Sequence, residues 1–256
     1  MDTEPRVVVR ASLEEVGGEA AARFRRLAAE SIAATGRFFV ALSGGSTPRA
    51  LYRSLAEPPS RDAIDWPRVH LFWGDERFVP ADHSDSNYRL AREAFISRVP
   101  IPAGNVHPFP TDGADPQTAA AQYEETLRRF FASPEREAPR FDLILLGLGA
   151  DGHTASLFPG SPALDEDGRL AVAAYVPKLD AWRLTLTPSV LRAARHIIFL
   201  VAGLDKASTL REVLQGPYDP HRLPAQLARP EDGDLTWLVD EAAASLLGEA
   251  LRADPP

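Results

Sequence analysis

The sequence predicts an α/β fold: a mostly parallel sheet flanked by helices on both faces, with a small antiparallel or edge element. Two observations carry this. Strand-length apolar runs recur along the chain and are mostly separated by segments of helical period, the alternation that builds parallel βαβ units. Two of the runs, FDLILLGLG (141–149) and HIIFLVAG (196–203), are apolar almost throughout, as strands covered on both faces must be.

Taken in order, RVVVRA (6–11) is the first strand and GEAAARFRRLAAESIAAT (18–35) the first helix. RFFVAL (37–42) leads into a helix over 48–56, and RVHLFW (68–73) into one over 86–99 that Ser84 or Ser86 starts. The next helix, 115–132, opens on Asp115 and Pro116, a cap followed by a residue that tolerates the first turn. After the 141–149 strand come LAVAAYV (170–176) and RLTLT (183–187). There PSVLRAA marks the place for the antiparallel or edge element. HIIFLVAG then precedes a helix over 206–216 stopped by Gly216, and LTWLVD (235–240) precedes one over 241–251. The proline-containing stretches at 57–67, 100–116, 133–139 and 217–230 are too short and scattered to be tethers, and there is no internal repeat. One domain spanning 1–256 is the simplest organisation.

Composition narrows the function. A chain of 256 residues with 45% apolar and 25% charged content can build a sizeable core. Its net charge of −8 argues against nucleic acid or an anionic membrane as partner, so an anionic ligand has to meet a local cluster of positive charge. The absence of cysteine removes disulfides, thiolate catalysis and Cys-ligated zinc. With no basic-then-apolar leader and no run long enough to span a bilayer, the expected location is cytoplasmic. Of the 28 basic residues only Lys178 and Lys206 are lysine, which draws attention to sites where a compact ammonium suits better than a guanidinium.

In an open parallel sheet the ligand crevice lies outside the carboxyl ends of the strands, so the loops there matter most. SGGSTP follows the second strand and enters a helix directly. Gly44 and Gly45 permit positive φ and close approach, Ser43, Ser46 and Thr47 offer hydroxyls, and the helix presents unpaired N–H groups. A phosphate suits this turn, and so does a plain capped strand-to-helix connection. It is neither a Walker loop nor a dinucleotide fingerprint.

WGDERFVPADHSDSNY (73–88) sets Asp75, Glu76 and Arg77 at the end of a strand, where a solvated rim is the simpler reading of an isolated triplet. LILLGLGADGHTASLFPGSP (143–162) places Asp151 and His153 in a glycine-rich turn after a buried strand. The other five histidines lie in strand runs, polar loops or beside Pro108. His153 differs in having a carboxylate neighbour and glycines that admit a substrate to the main chain. Backbone N–H groups of this turn are candidates to stabilise an oxyanion. No metal signature and no Gly-x-Ser-x-Gly elbow is present, so activation of water by His153 is the simpler chemistry.

Together LSGGSTP, WGDERFVPADHSDSNYRLAREAF, LGLGADGHTASLFPGSPAL and RLTLTPSVLRAARHIIFLVAGLDKA resemble the bacterial 6-phosphogluconolactonases, from about residue 7 to about 250 and in family order. That family is related in fold to the glucosamine-6-phosphate deaminases, so the resemblance implies a Rossmann-like sheet of the deaminase (NagB) type. It also implies a phosphorylated sugar lactone as substrate, 6-phospho-D-glucono-1,5-lactone, opened without metal or organic cofactor by a monomer or homodimer. His153 then takes a proton from water and Asp151 orients the imidazole or binds a sugar hydroxyl. Gly44, Gly45, Ser46, Thr47, Asp75, Arg77, Arg183, Lys206 and, less strongly, Lys178 are the substrate and phosphate contacts.

Two departures from the family pattern stand out. Ala150 replaces an acid common there, and KLDAWR replaces the proline-rich turn after Lys178.

Two rivals remain. A sugar-phosphate deaminase or isomerase carries an acid five residues after the histidine, where this chain has Phe158. A non-catalytic sugar-phosphate sensor normally comes with a DNA-binding module, for which no spare basic segment exists.

Overall fold

The computed structural model describes residues 6–113, 115–131 and 137–252. Ala132, the end of the helix expected over 115–132, and most of the stretch expected at 133–139 lie outside the described residues, as do the ends of the 1–256 span.

The chain begins with β1 (Arg6–Arg10), α1 (Leu13–Thr35), β2 (Phe38–Leu42), α2 (Ser46–Leu55) and a short α3 (Ser60–Ala63). It continues through β3 (Val69–Trp73), β4 (Asp75–Arg77), α4 (Asn87–Ala94), α5 (Pro116–Phe131) and β5 (Leu143–Gly147). It ends with β6 (Ala171–Val176), β7 (Ala181–Leu186), α6 (Pro188–Ala193), β8 (His196–Val201), α7 (Ala207–Gln215), β9 (Asp234–Asp240) and α8 (Glu249–Arg252).

Six strands form one parallel sheet in the order β1-β9-β8-β5-β2-β3. Its central strands are buried along nearly their whole length, as their unbroken apolar runs require. From β2 the chain proceeds outward to β3, whereas β5 lies on the other side of β2 and leads toward β8. The order therefore reverses between β2 and β5, and the crevice outside their carboxyl ends is the natural ligand site of such a sheet.

The antiparallel element is a separate sheet of three strands, β4-β7-β6, packed against α5. The run 170–176 belongs to it and not to the parallel sheet. Gly74 is the crossing point. Its N–H donates to Leu42 O of the main sheet at 2.8 Å and its carbonyl accepts from Leu186 N of the small one at 2.8 Å.

Two boundaries differ from expectation for local reasons. α1 starts five residues before 18 because Ser12 accepts from Glu15 N at 3.2 Å while Glu15 returns a carboxylate to Ala11 N at 3.3 Å, a near capping box. The 241–251 segment is a 3₁₀ turn (Ala243–Leu246) and then α8. Asp240 seizes Ala243 N at 2.7 Å, and Gly248 interrupts the period.

Candidate active site

Four loops meet over the β2–β5 reversal and enclose a cavity of about 230 Å³. Its walls are Ser43, Gly44, Gly45, Asp75, Arg77, Asn87, Gly147, Leu148, Gly149, His153, Ala155 and Lys206. A second cavity, about 240 Å³, lies at the amino ends of β8 and β9. There Arg23 and Arg26 are paired with Glu19 and Glu30, and His196 Nδ1 lies 3.1 Å from Asp234.

The loop after β2 turns at Gly45 (φ 107°), which serves as the cap of α2 without a side-chain bond. Among the described residues the N–H groups of Gly44 and Gly45 have no acceptor, and the Ser43 hydroxyl, buried in the wall, has no partner. Ser46 and Thr47 form the first turn of α2 just behind this wall. The place has the donors an anion needs.

β4 resolves the Asp75-Glu76-Arg77 triplet by strand alternation: Asp75 and Arg77 face the cavity and Glu76 the opposite side. Glu76 is buried and accepts from Asn87 N at 2.7 Å, Tyr88 N at 2.8 Å and Arg77 N at 2.8 Å, fastening the amino end of α4. Burial raises its carboxyl above the ordinary range, opposed by those three bonds. The triplet is therefore no solvated rim. Ser86 caps α4 by accepting from Arg89 N at 3.1 Å. Across the small sheet Arg77 stands opposite Arg183, and burial, then Arg77 itself, lowers the Arg183 guanidinium.

The turn after β5 is closed by its own backbone. Gly149 N donates to His153 O at 2.9 Å and Gly152 N to Gly149 O at 3.0 Å. These two N–H groups hold the turn and are not available to an oxyanion. A Cβ at Gly149 would sit 2.0 Å from His153 Nδ1, so only glycine leaves room for the imidazole.

Asp151 approaches that ring from behind, Oδ1 to Nδ1 at 2.5 Å, and its other oxygen accepts from Lys178 Nζ. Phe158 stacks on the imidazole with ring centres 4.2 Å apart, and Lys178 Nζ lies 4.7 Å from the centre of the Phe158 ring. The four residues close a circuit. Burial pushes the His153 imidazole down to about 4; Asp75 opposes this, while Lys206, Arg183 and Arg77 add to it. The ring is neutral near pH 7, as a base must be.

Of the residues singled out by sequence, Gly44, Gly45, Asp75, Arg77, His153 and Lys206 share the cavity wall. Arg183 backs Arg77, and Asp151 backs His153. Lys178 is brought to Asp151 and Phe158 and not to the cations around the glycine turn, because the β6–β7 hairpin carries it to the 151–153 loop. Ser156, set aside in the sequence for want of a Gly-x-Ser-x-Gly elbow, and Asn87 and Gly149 also belong to the site. Asn87 and Ser156 stand inside motifs that draw attention for other residues, and nothing local distinguishes them. Among the described residues no group of three or more His, Asp or Glu is arranged to hold a metal ion, and no helix is long and apolar enough to cross a membrane.

Known proteins share this chain's sequence and fold. Residues 11–237 match the family model described as glucosamine-6-phosphate isomerases/6-phosphogluconolactonase. The chain is 47% identical over 223 residues to a 6-phosphogluconolactonase of Synechocystis sp., covering 87% of this chain and 88% of the relative. Its structure is similar to that of 6-phosphogluconolactonase from Trypanosoma cruzi, with TM-score 0.85 and 32% identity over 96% of this chain and 98% of the other. A monomeric glucosamine-6-phosphate deaminase shares the fold at TM-score 0.77 and 21% identity, over 94% of this chain and 99% of the other. The chain belongs to the glucosamine-6-phosphate isomerase/6-phosphogluconolactonase family.

Proposed function

We propose that this chain is a lactone hydrolase that opens 6-phospho-D-glucono-1,5-lactone to 6-phosphogluconate, a step of the oxidative pentose-phosphate pathway. The observation that carries the reading is the neutral imidazole of His153, held from behind by Asp151, in one cavity with the glycine turn, Arg77 and Lys206.

The substrate's phosphate lies against Gly44 and Gly45, with Ser46 and Thr47 at the start of α2 and with Lys206, Arg77 and Arg183 as counter-charges. This leaves C1 near His153. Because Nδ1 is engaged by Asp151, Nε2 takes a proton from water as the oxygen attacks C1. The tetrahedral intermediate then collapses, the C1–ring oxygen bond breaks, and the imidazolium returns the proton to the departing C5 oxygen. Asp75 faces the imidazolium and is placed to accept from a sugar hydroxyl. The chain acts as one domain in the cytoplasm, without metal or organic cofactor.

Phe158 favours this reading over deamination or isomerisation. Where those enzymes carry an acid five residues after the histidine, this chain carries Phe158, whose ring stacks on the imidazole. The test is the hydrolysis rate of freshly generated lactone with the wild type and with His153→Ala. Acceleration over the spontaneous rate that disappears in the variant is expected. Binding of 6-phosphogluconate without acceleration would instead identify a sensor, and ammonia release from glucosamine 6-phosphate a deaminase.

A further inference from the structure

Asp75 is held more firmly than its place in a three-residue strand demands. Its carboxylate is buried at the cavity wall, with Oδ2 accepting from Ser156 Oγ at 2.7 Å and Oδ1 from Asn87 Nδ2 at 3.2 Å. The same amide also donates to Asp75 O at 2.9 Å, so Asn87 fixes both main chain and side chain of one residue. Ser156 is anchored in turn, its N–H reaching Thr185 Oγ1 at 3.3 Å on β7, directly opposite Asp75.

Asn87 is an unfavourable choice for stability alone. The residue is 1% exposed, and its Oδ1 has no hydrogen-bond partner. A buried acceptor left unsatisfied is destabilising, and an apolar side chain of the same shape would avoid it. The amide is wedged against the glycine turn: a Cβ on Gly44 would lie 1.8 Å from Oδ1. What the amide supplies that an apolar residue could not is the pair of bonds to Asp75.

We infer that Asn87 and Ser156 are positioning residues of the reaction, a two-sided clamp that keeps the Asp75 carboxylate facing His153 while the imidazolium forms. This rests on the lactonase reading. The clamp brings three separate stretches together, β4, the start of α4 and the 154–157 turn, and so sets a negative charge in place before the proton moves. The other charged groups facing His153 are Arg77 on β4, Arg183 on β7, Lys206 before α7, Asp151 in its own turn, and Lys178 behind Asp151.

The test is a mutant cycle of Ser156→Ala, Asn87→Ala and Asp75→Asn. It is read by kcat, by KM for the lactone, and by NMR titration of the His153 imidazole, with thermal unfolding to confirm the fold. Each clamp variant is expected to lower kcat roughly ten- to a hundredfold, by a larger factor than it raises KM. Ser156→Ala is expected to add nothing in the Asp75→Asn background, because it acts through Asp75. The imidazole pKa is expected to fall in both clamp variants, since the Asp75 charge opposes the lowering that burial causes. Asn87→Ala also disturbs the start of α4. Ser156→Ala, which removes one hydroxyl, is therefore the deciding variant.

A Ser156→Ala protein with wild-type kcat, or a loss that multiplies undiminished onto Asp75→Asn, overturns the inference. A folded wild type that fails to accelerate lactone hydrolysis overturns the functional reading instead. The clamp is then judged by the titration alone, and an imidazole unmoved by Ser156→Ala sinks it.

Discussion

Nδ1 of His153 and Oδ1 of Asp151 stand 2.5 Å apart, with the far oxygen of Asp151 bonded to Lys178. The carboxylate commits the Nδ1 proton, which in the proposed mechanism leaves Nε2 as the base. Asp151→Asn keeps the shape and loses that commitment. It is expected to lower kcat by about 10²- to 10⁴-fold, measured at saturating lactone. A kcat within threefold of wild type would remove Asp151 from the mechanism.

The imidazole of His153 is expected to titrate at about 4, well below an ordinary histidine, chiefly because it is buried. NMR titration, with the resonance assigned by His153→Gln, checks this directly.

His107 follows the same direction for stability. Burial, then His70 and Arg129, lowers it to about 4. Since its folded pKa is depressed, the unfolded chain takes up the proton first as pH falls. Stability is whole above about 6.5 and is lost as pH drops toward 4. Urea unfolding at pH 7 and pH 5 should show a smaller difference in His107→Leu than in wild type, and an equal difference would refute the assignment.

Gly149→Ala should spare the fold and damage the site. The new methyl meets His153 Nδ1 at 2.0 Å and Cε1 at 2.2 Å, so the ring swings off Asp151. A fall in kcat of roughly a hundredfold is expected, with nearly unchanged thermal unfolding. Equal losses in both would mean that the turn itself had failed.

The two lysines should separate kinetically. Lys206 lines the cavity and Lys178 does not. Lys206→Met is expected to raise KM at least tenfold, about 1.4 kcal/mol. Lys178→Met should leave KM nearly alone and lower kcat, because it strips Asp151 of a partner. Steady-state kinetics on both variants decides.

Tyr123 links α5 to β3 by donating to Trp73 O at 3.0 Å and accepting from Trp73 N at 2.8 Å, both buried. Tyr123→Phe leaves two backbone groups unpaired one residue before the Gly74 crossing. A destabilisation of about 1–3 kcal/mol is expected from urea unfolding. No loss would mean that water replaces the hydroxyl.

Much of this was legible in the sequence, where the physics is local. Unbroken apolar runs announce β5 and β8 as covered strands, Asp115 announces a helix start by side-chain chemistry alone, and of Ser84 and Ser86 it is Ser86 that caps α4. His153 and the glycine turn stood out because strand ends in parallel sheets gather ligands. What escaped is long-range. Asp75, Asn87 and Ser156 are bound by contacts that span up to 81 positions, and no local pattern encodes which polar residues will meet. β4 was missed for the same reason, since a three-residue strand exists only through its partner β7. Lys178 was drawn toward phosphate by its charge, whereas a hairpin tip decides where it lands.

Arg77 and Arg183, opposed across β4 and β7, set two positive charges side by side on one face of the small sheet. A dianion seated between them would turn mutual repulsion into a bridge, so ligand occupancy and heat resistance are expected to rise together. Each tenfold excess of ligand over its Kd adds about 1.4 kcal/mol of stability. Added salt, by shielding the guanidiniums on its own, erodes that gain. If the phosphate sits there as proposed, the melting point is expected to rise with phosphate-ester concentration, most steeply in dilute buffer.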